Sequence, residues 1–363
     1  YLALLCQNEI YLQHIMVQGQ ATFKFNEFIG NLQSNRNAHL FALGFADSNL
    51  TAENLNLISS FIKVGGLRSI EFHNAIGSES MISFYNTFLT SGIFETIFMM
   101  NMSGTKNLNL TQFFPKITSI RMLCLSNCDL EIYDIFTNVS TLTDLKSLDI
   151  SNNHCSSQID PNDSISFPQY LQTLNLNNTD FSPECALPLL KFIFNHFENG
   201  LNLSIASLAP PESTEWKSIL HFISHSTYRS LVSLTWDGNL IHPKLFTFLL
   251  KNPYLKNLSL NACVSLESAT DAMASVALFI QSSKSLVNLS VRGDRTNFIG
   301  NNLETLFTYI PESETLETLD LTYSKCGDAG LNQITTFLTK CTSLKTLIID
   351  GMRPKTVAPL FNL

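Results

Sequence analysis

Charge is scarce in this chain. Asp, Glu, Lys and Arg make up 14% of its 363 residues, against about a quarter in ordinary soluble proteins. The charges sum to −8 at pH 7, with a pI near 5.5. There is no run of like charges and no basic patch with interleaved aromatics. Nucleic acid rewards clustered Lys and Arg, so it is not an expected partner. Membrane-spanning runs are lacking as well. The apolar start, Tyr1 to Cys6, is interrupted by Gln7, Asn8 and Glu9, whereas a span needs about 20 apolar residues. The same stretch is too short for a signal core, and no initiator Met or basic segment precedes it. The missing polar caps and the incomplete last repeat imply a fragment of a longer protein.

Catalytic signatures are absent too. No Gly-rich phosphate loop, G-x-S-x-G or H-E-x-x-H occurs. His221 and His225 stand four apart on a predicted helix, which is metal-ligand spacing. No third ligand accompanies them, and Ile219, Leu220, Phe222 and Ile223 beside them read as a helix with one polar face. Asp149, Asp237, Asp320 and Asp350 fall in separate repeats, too far apart for paired acid–base work; they read as solvated surface. No catalytic, cofactor or metal site is expected, and the chain reads as a non-enzyme.

What is present is a repeat. The pattern L-x-x-L-x-L, with variants, begins at Leu12, Leu40, Leu67, Phe94, Ile120, Leu145, Leu171, Glu198, Leu231, Leu255, Leu286, Leu316 and Leu344. Most intervals are 24 to 31 residues, and that after Glu198 is 33. Glu198 marks the weakest register, keeping only Leu201 and Leu203. The repeat Leu316-Glu317-Thr318-Leu319-Asp320-Leu321 shows the alternation of a half-buried strand. Leu331, Ile334 and Leu338 then recur at helical spacing. The period and pattern are those of leucine-rich repeats. The expected fold is an α/β leucine-rich-repeat solenoid of about 13 repeats, a horseshoe with parallel strands on its concave face and helices on its convex face. Residues 1–363 read as a single domain. Ser268 with Asp271 fits a capping box, and Ser182-Pro183 fits a helix start. Pro210-Pro211 marks a loop after the eighth strand, Thr296 to Asn302 lengthens the eleventh repeat, and Met102 to Leu110 weakens the turn of the fourth.

The eight cysteines do not read as four disulfides. Counting the first Leu as zero, Cys128 and Cys263 fall at position eight, the Asn or Cys site where a side chain meets the turn backbone from inside. Cys155 and Cys326 fall at position ten, a buried apolar site. Cys124 and Cys128 point to opposite faces. No Cys clusters at the ends, so a reducing compartment is expected. Nine N-x-S/T sequons, at Asn49, Asn101, Asn109, Asn138, Asn162, Asn177, Asn202, Asn257 and Asn288, read as products of an Asn-, Ser- and Thr-rich composition.

Positions one, two, four and six of each repeat point to the concave face. In the later repeats these are polar: Asn257, Ser259, Asn261, Asn288, Ser290, Thr318, Asp320 and Thr322. Earlier ones include Met16, Phe41, Phe98, Met100, Met122 and Cys124. An apolar stripe on a soluble protein marks a partner site or a surface covered by a neighbouring domain. Met16, Phe41, Phe98, Met100 and Met122 form the candidate patch, and a register slip in the fourth repeat would turn Phe98 inward.

The repeat class resembles the ribonuclease-inhibitor-like proteins. Within it, the order of irregular repeats resembles the repeat region of the CARMIL actin regulators. Three stretches carry the likeness: Phe25-Asn26-Glu27-Phe28; Leu174 to Thr179 with Phe181-Ser182-Pro183-Glu184, running to Leu201-Asn202-Leu203; and the closing repeats with Gly327-Asp328-Ala329-Gly330. The resemblance implies a cytoplasmic scaffold at the cytoskeleton or cell cortex, with homodimer contacts. It places membrane binding and actin capping protein binding in segments outside this sequence. Arg353-Pro354-Lys355 lacks the upstream residues of the capping-protein motif and reads as coincidence. A repeat protein docked in a larger cytoskeletal assembly is the alternative, and an extracellular receptor or a RanGAP-like activator would be further ones.

Overall fold

A computed structural model describes residues 13–351, except 20–23, 35–39, 91, 93, 95, 158, 161–164, 198–199, 266–268, 294–305, 308–309, 311–312 and 324–326. The chain divides into two compact units, Tyr1–Ser157 with Ser164–Asn175, and Gln158–Asp163 with Leu176–Leu363.

In the first unit the strands are β1 (His14–Gln18), β2 (Ala42–Ala46), β3 (Ser69–His73), β4 (Met99–Asn101), β5 (Met122–Cys124), β6 (Ser147–Asp149), the two-residue β7 (His154–Cys155) and β8 (Thr173–Asn175). Leaving out β7, they pair in sequence order and all in parallel. In the second unit a two-residue β9 (Asp180–Phe181) precedes β10 (Leu201–Ser204), β11 (Leu231–Thr235), β12 (Asn257–Ser259), β13 (Asn288–Ser290), β14 (Thr318–Asp320) and β15 (Thr346–Ile348). From β10 onward these are again parallel and in order. Among the described residues the two units therefore carry thirteen parallel strands of a solenoid-like α/β repeat.

Parallel neighbours need a crossover, and helices supply most of them. They are α1 (Phe25–Ser34), α2 (Ala52–Gly65) and α3 (Ile132–Val139) in the first unit. The second holds α4 (Ala186–His196), α5 (Trp216–His225), α6 (Pro243–Leu249), α7 (Ala269–Ser282) and α8 (Gly327–Leu338). Local chemistry sets the ends of α2. Thr51 Oγ1 accepts from Asn54 N at 3.3 Å, Asn54 Oδ1 accepts from Thr51 N at 3.0 Å, and Gly66 closes the helix at φ 66°.

Positions three and five of each repeat face the helices. Leu43 and Phe45, Ile70 and Phe72, Leu148 and Ile150, Leu319 and Leu321 are all at 0% exposure. Each such side chain contributes about 1.5–3 kcal/mol by leaving water. Phenylalanine fills much of the first core: Phe72 packs on Phe45, Phe84 and Phe88 at centroid distances of 6.3, 6.3 and 5.5 Å. In α8, Leu331 and Ile334 are buried as their spacing predicts; Leu338 is half-buried and Phe337 takes the core place.

Position eight binds successive turns together. Cys128 Sγ donates to Met102 O at 3.2 Å and Cys263 Sγ to Trp236 O at 3.3 Å. Asn239 Nδ2 donates to Ile205 O at 2.7 Å, while its Oδ1 accepts from Leu208 N at 2.6 Å. These bonds satisfy turn amides and carbonyls that β-pairing leaves over. Cys155 at position ten is fully buried.

Two registers differ from the sequence reading. In the fourth repeat Met100 pairs with Ile70 and Leu123, which are inward residues. The repeat therefore runs Ile97, Met100, Met102, three residues later than the Phe94 start. It is 23 residues long by the next start at Ile120, and its return is only a short helical turn, Leu110–Phe113, continued by the 3₁₀ turn Phe114–Lys116. In the eighth repeat Leu201 pairs with Leu231 and Leu203 with Leu234, with a register shift after Leu201. Leu201, Leu203 and Ile205 thus hold the three inward places, in a strand one residue shorter than its neighbour. The helix expected from Ser182-Pro183 also starts later. Those residues form a turn closed by Cys185 N to Ser182 O at 2.9 Å, and α4 begins at Ala186. Cys6, Leu12, Asn162, Glu198, Ser268, Thr296 to Asn302, Cys326 and Arg353-Pro354-Lys355 lie outside the described residues.

Candidate functional site

The open face of the first unit, turned away from its helices, holds four of the five predicted patch residues. Met16, Phe41 and Met122 are 41%, 42% and 44% exposed, and Phe98 is half-buried. Met100 is not part of the patch: it is 2% exposed and belongs to the core. The corrected register of the fourth repeat puts half-exposed Met99 on the open face instead.

Position one of each repeat forms the outermost row. It reads Gln13, Phe41, Arg68, Phe98, Arg121, Lys146, Gln172, and from Phe41 onward each N–H donates to the carbonyl of the preceding rung at 2.7–3.0 Å. No carboxylate interrupts it. Phe41 and Phe98 stand two strands apart, a distance of about 9–10 Å, yet their ring centroids are 6.0 Å apart at 70°. They lean together over the rung of Arg68, whose Nη1 reaches the Thr96 carbonyl at 3.3 Å. The Arg121 guanidinium lies 5.9 Å from the Phe98 ring centroid, a cation–π distance. The rim therefore offers aromatic faces flanked by positive charge.

Position four is different. Met16, Gly44 and Glu71 are consecutive rungs here. A Cβ at Gly44 would meet Met16 Cε at 2.5 Å, so the missing side chain makes a notch that the thioether fills. Glu71 links two histidines: its Oε2 is 2.9 Å from His73 Nε2 and its Oε1 is 3.5 Å from His14 Nε2. His73 Nδ1 is 2.9 Å from Ser103 Oγ. The backbone amides next to this Ser–His–Glu sequence are already bonded, Ser103 N to Asn101 Oδ1 and Gly104 N to Ser126 O, so neither is free to serve as an oxyanion donor. It braces adjacent strands. Ser103 stands at position six, like His73; the mistaken fourth register hid that match. A shallow hollow of about 330 Å³ lies beside it, lined by Glu71, Met99, Met122, Cys124 and Asp149. Burial, with Asp149 adding, pushes the Cys124 thiol up to about 11.

Neither family models nor curated proteins match this chain.

The open face of the second unit is a polar ladder closed on itself. Asp237 Oδ1 accepts from Ser259 Oγ at 2.6 Å and Asn261 N at 2.9 Å. Asn261 Oδ1 accepts from Ser290 Oγ at 2.7 Å and Arg292 N at 2.8 Å. Arg292 Nε donates to Asp320 Oδ2 at 2.7 Å, and Asp320 Oδ1 accepts from Thr322 Oγ1 at 2.7 Å. Asp320, read from sequence as solvated, is only 4% exposed for this reason. Groups already bonded to one another gain little by exchanging partners. The apolar first unit has more to gain from being covered.

His221 and His225 do lie on α5, exposed, with ring centroids 4.4 Å apart. His225 Nδ1 bonds the His221 carbonyl at 2.8 Å, which occupies that nitrogen. Among the described residues no group of three or more His, Cys, Asp or Glu is arranged to hold a metal, and no helix is long and apolar enough to cross a membrane.

Proposed function

We propose that this chain is a non-catalytic protein–protein interaction scaffold of the leucine-rich-repeat type, whose partner docks on the open face of the first unit. The carrying observation is the exposed Met16, Phe41 and Met122 beside the Phe98–Arg121 pair. Covering the exposed half of each of these large side chains contributes about 1 kcal/mol, and the aromatic and arginine rungs are the residue types that dominate interfaces. The order of irregular repeats supports a CARMIL-like role in actin organisation at the cell cortex, with capping protein engaged through other segments. Free thiols at Cys124, Cys128, Cys263 and Cys341 support a reducing, cytoplasmic setting.

The test is a pull-down of the full-length protein with crosslinks read by mass spectrometry, repeated with Phe98→Asp plus Met122→Asp. Loss of the crosslinked partner by a variant with unchanged circular dichroism is the expected result. Retained binding would remove the patch from the interface. Actin or capping protein among the partners supports the cytoskeletal reading; secretory proteins or a GTPase in their place overturn it.

A further inference from the structure

The helical side of the second unit holds a cavity of about 810 Å³ between α4, α5 and α6. That is the size of a site for a small organic ligand. Its wall combines two chemistries. Lys191, Lys217 and Lys244 come from three different helices, and none makes an ion pair among the described residues. No carboxylate stands among the described lining residues; Glu184 and Glu215 lie on adjoining turns outside it. In a chain of net charge −8, three lysines in one wall make a local reversal of sign.

The second chemistry is aromatic. Phe194 stacks on Tyr228 at 4.9 Å and on Phe222 at 6.0 Å, and Lys191 Nζ sits 5.9 Å from the Phe222 ring centroid. Tyr228 is 7% exposed, and its buried hydroxyl has no hydrogen-bond partner. A buried hydroxyl without a partner costs roughly as much as a lost hydrogen bond; this one has no surface open to the cavity, so Tyr228 contributes its ring to the wall. Burial holds the phenol above its ordinary pKa.

We infer that this cavity binds a small aromatic organic phosphate, of the nucleotide class. The lysines would hold the phosphate oxygens, and the ligand's ring would lie against the Phe222–Phe194–Tyr228 stack. Phosphate suits this wall better than carboxylate. Lysines act as point charges and serve a doubly charged, three-oxygen group, whereas a single carboxylate is better served by one arginine fork. This site is independent of the open face, and its fate does not touch the docking proposal.

The test is isothermal titration of the full chain with ADP, adenosine and pyrophosphate separately. ADP is expected to bind saturably, with adenosine and pyrophosphate each weaker by about tenfold or more, since each uses half of the wall. Lys191→Ala with Lys244→Ala should weaken ADP by about tenfold or more. Tyr228→Phe keeps the ring and removes only the buried, unpartnered hydroxyl, so it should leave ADP binding unchanged with an unchanged or raised melting temperature. No saturable heat with ADP in the millimolar range overturns the proposal. So does ADP binding that ignores the lysine pair. Pyrophosphate binding as tightly as ADP would show a bare anion patch, which also overturns it.

Discussion

Asn153 Oδ1 accepts the backbone N–H of Cys128 at 3.1 Å, joining position eight of one repeat to position eight of the repeat before it. The same oxygen takes Leu130 N at 3.1 Å, while Nδ2 donates to Leu125 O and Ile150 O, both at 2.9 Å. One side chain thus satisfies backbone groups of two turns. Asn153 is 4% exposed, so water cannot replace it.

Asn153→Ala strips partners from buried groups that each cost about 1–3 kcal/mol when left unmade. The expected loss is about 3 kcal/mol or more, read as a lowered urea midpoint. Because stability in stacked repeats is a sum of neighbour terms, the fifth and sixth repeats should lose amide protection first. Uniform loss along the chain, or no loss, would contradict the ladder.

Asp320 predicts a pH dependence. Burial disfavours its charge, but hydrogen bonds from Thr322 and from Arg292 outweigh that and hold its pKa below the ordinary value. A group with a depressed folded pKa stabilises the fold above its unfolded pKa, and the contribution fades as pH falls through the folded value. Asp320→Asn should therefore cost about 1–3 kcal/mol at pH 7. The gap between the two proteins should close below about pH 4, where the unfolded carboxylate also protonates. Denaturant melts at pH 7 and pH 3 measure it; a gap that is the same at both would contradict the assignment.

The ladder thiols should be inert. Burial is the main cause that pushes the Cys128 thiol up to about 12, and burial raises Cys263 as well. At pH 8 the thiolate fraction of Cys128 then falls about three orders of magnitude below that of a free cysteine. Iodoacetamide should leave Cys128 and Cys263 unmodified in the folded chain and label both in urea, read by peptide mass spectrometry. Fast labelling of either in the native protein would place it outside the ladder.

Much of this was legible in the sequence. Leucine spacing predicted the strands, and the position count placed Cys128 and Cys263 against turn carbonyls. It also put Met16, Phe41 and Met122 on the open face, because strand side chains alternate whatever surrounds them. The fourth repeat shows the limit. Phe94-x-x-Ile97-x-Met99 and Ile97-x-x-Met100-x-Met102 both satisfy the apolar pattern, and only the pairing of Met100 with Ile70 and Leu123 chooses between them. That choice moved Met100 into the core and brought Ser103 level with His73.

The sequence by itself determined the period, the strand–turn–helix order and the identity of most inward side chains, since these depend on residues close in the chain. Tertiary structure alone decided which residues meet across repeats. The lean of Phe41 onto Phe98, the filling of the Gly44 notch by Met16, the closure of Asp320 by Arg292 and the lysine-walled cavity all join side chains about 20 to 60 residues apart. Register and packing set those contacts, and a one-residue slip in pairing would exchange the two faces of a strand.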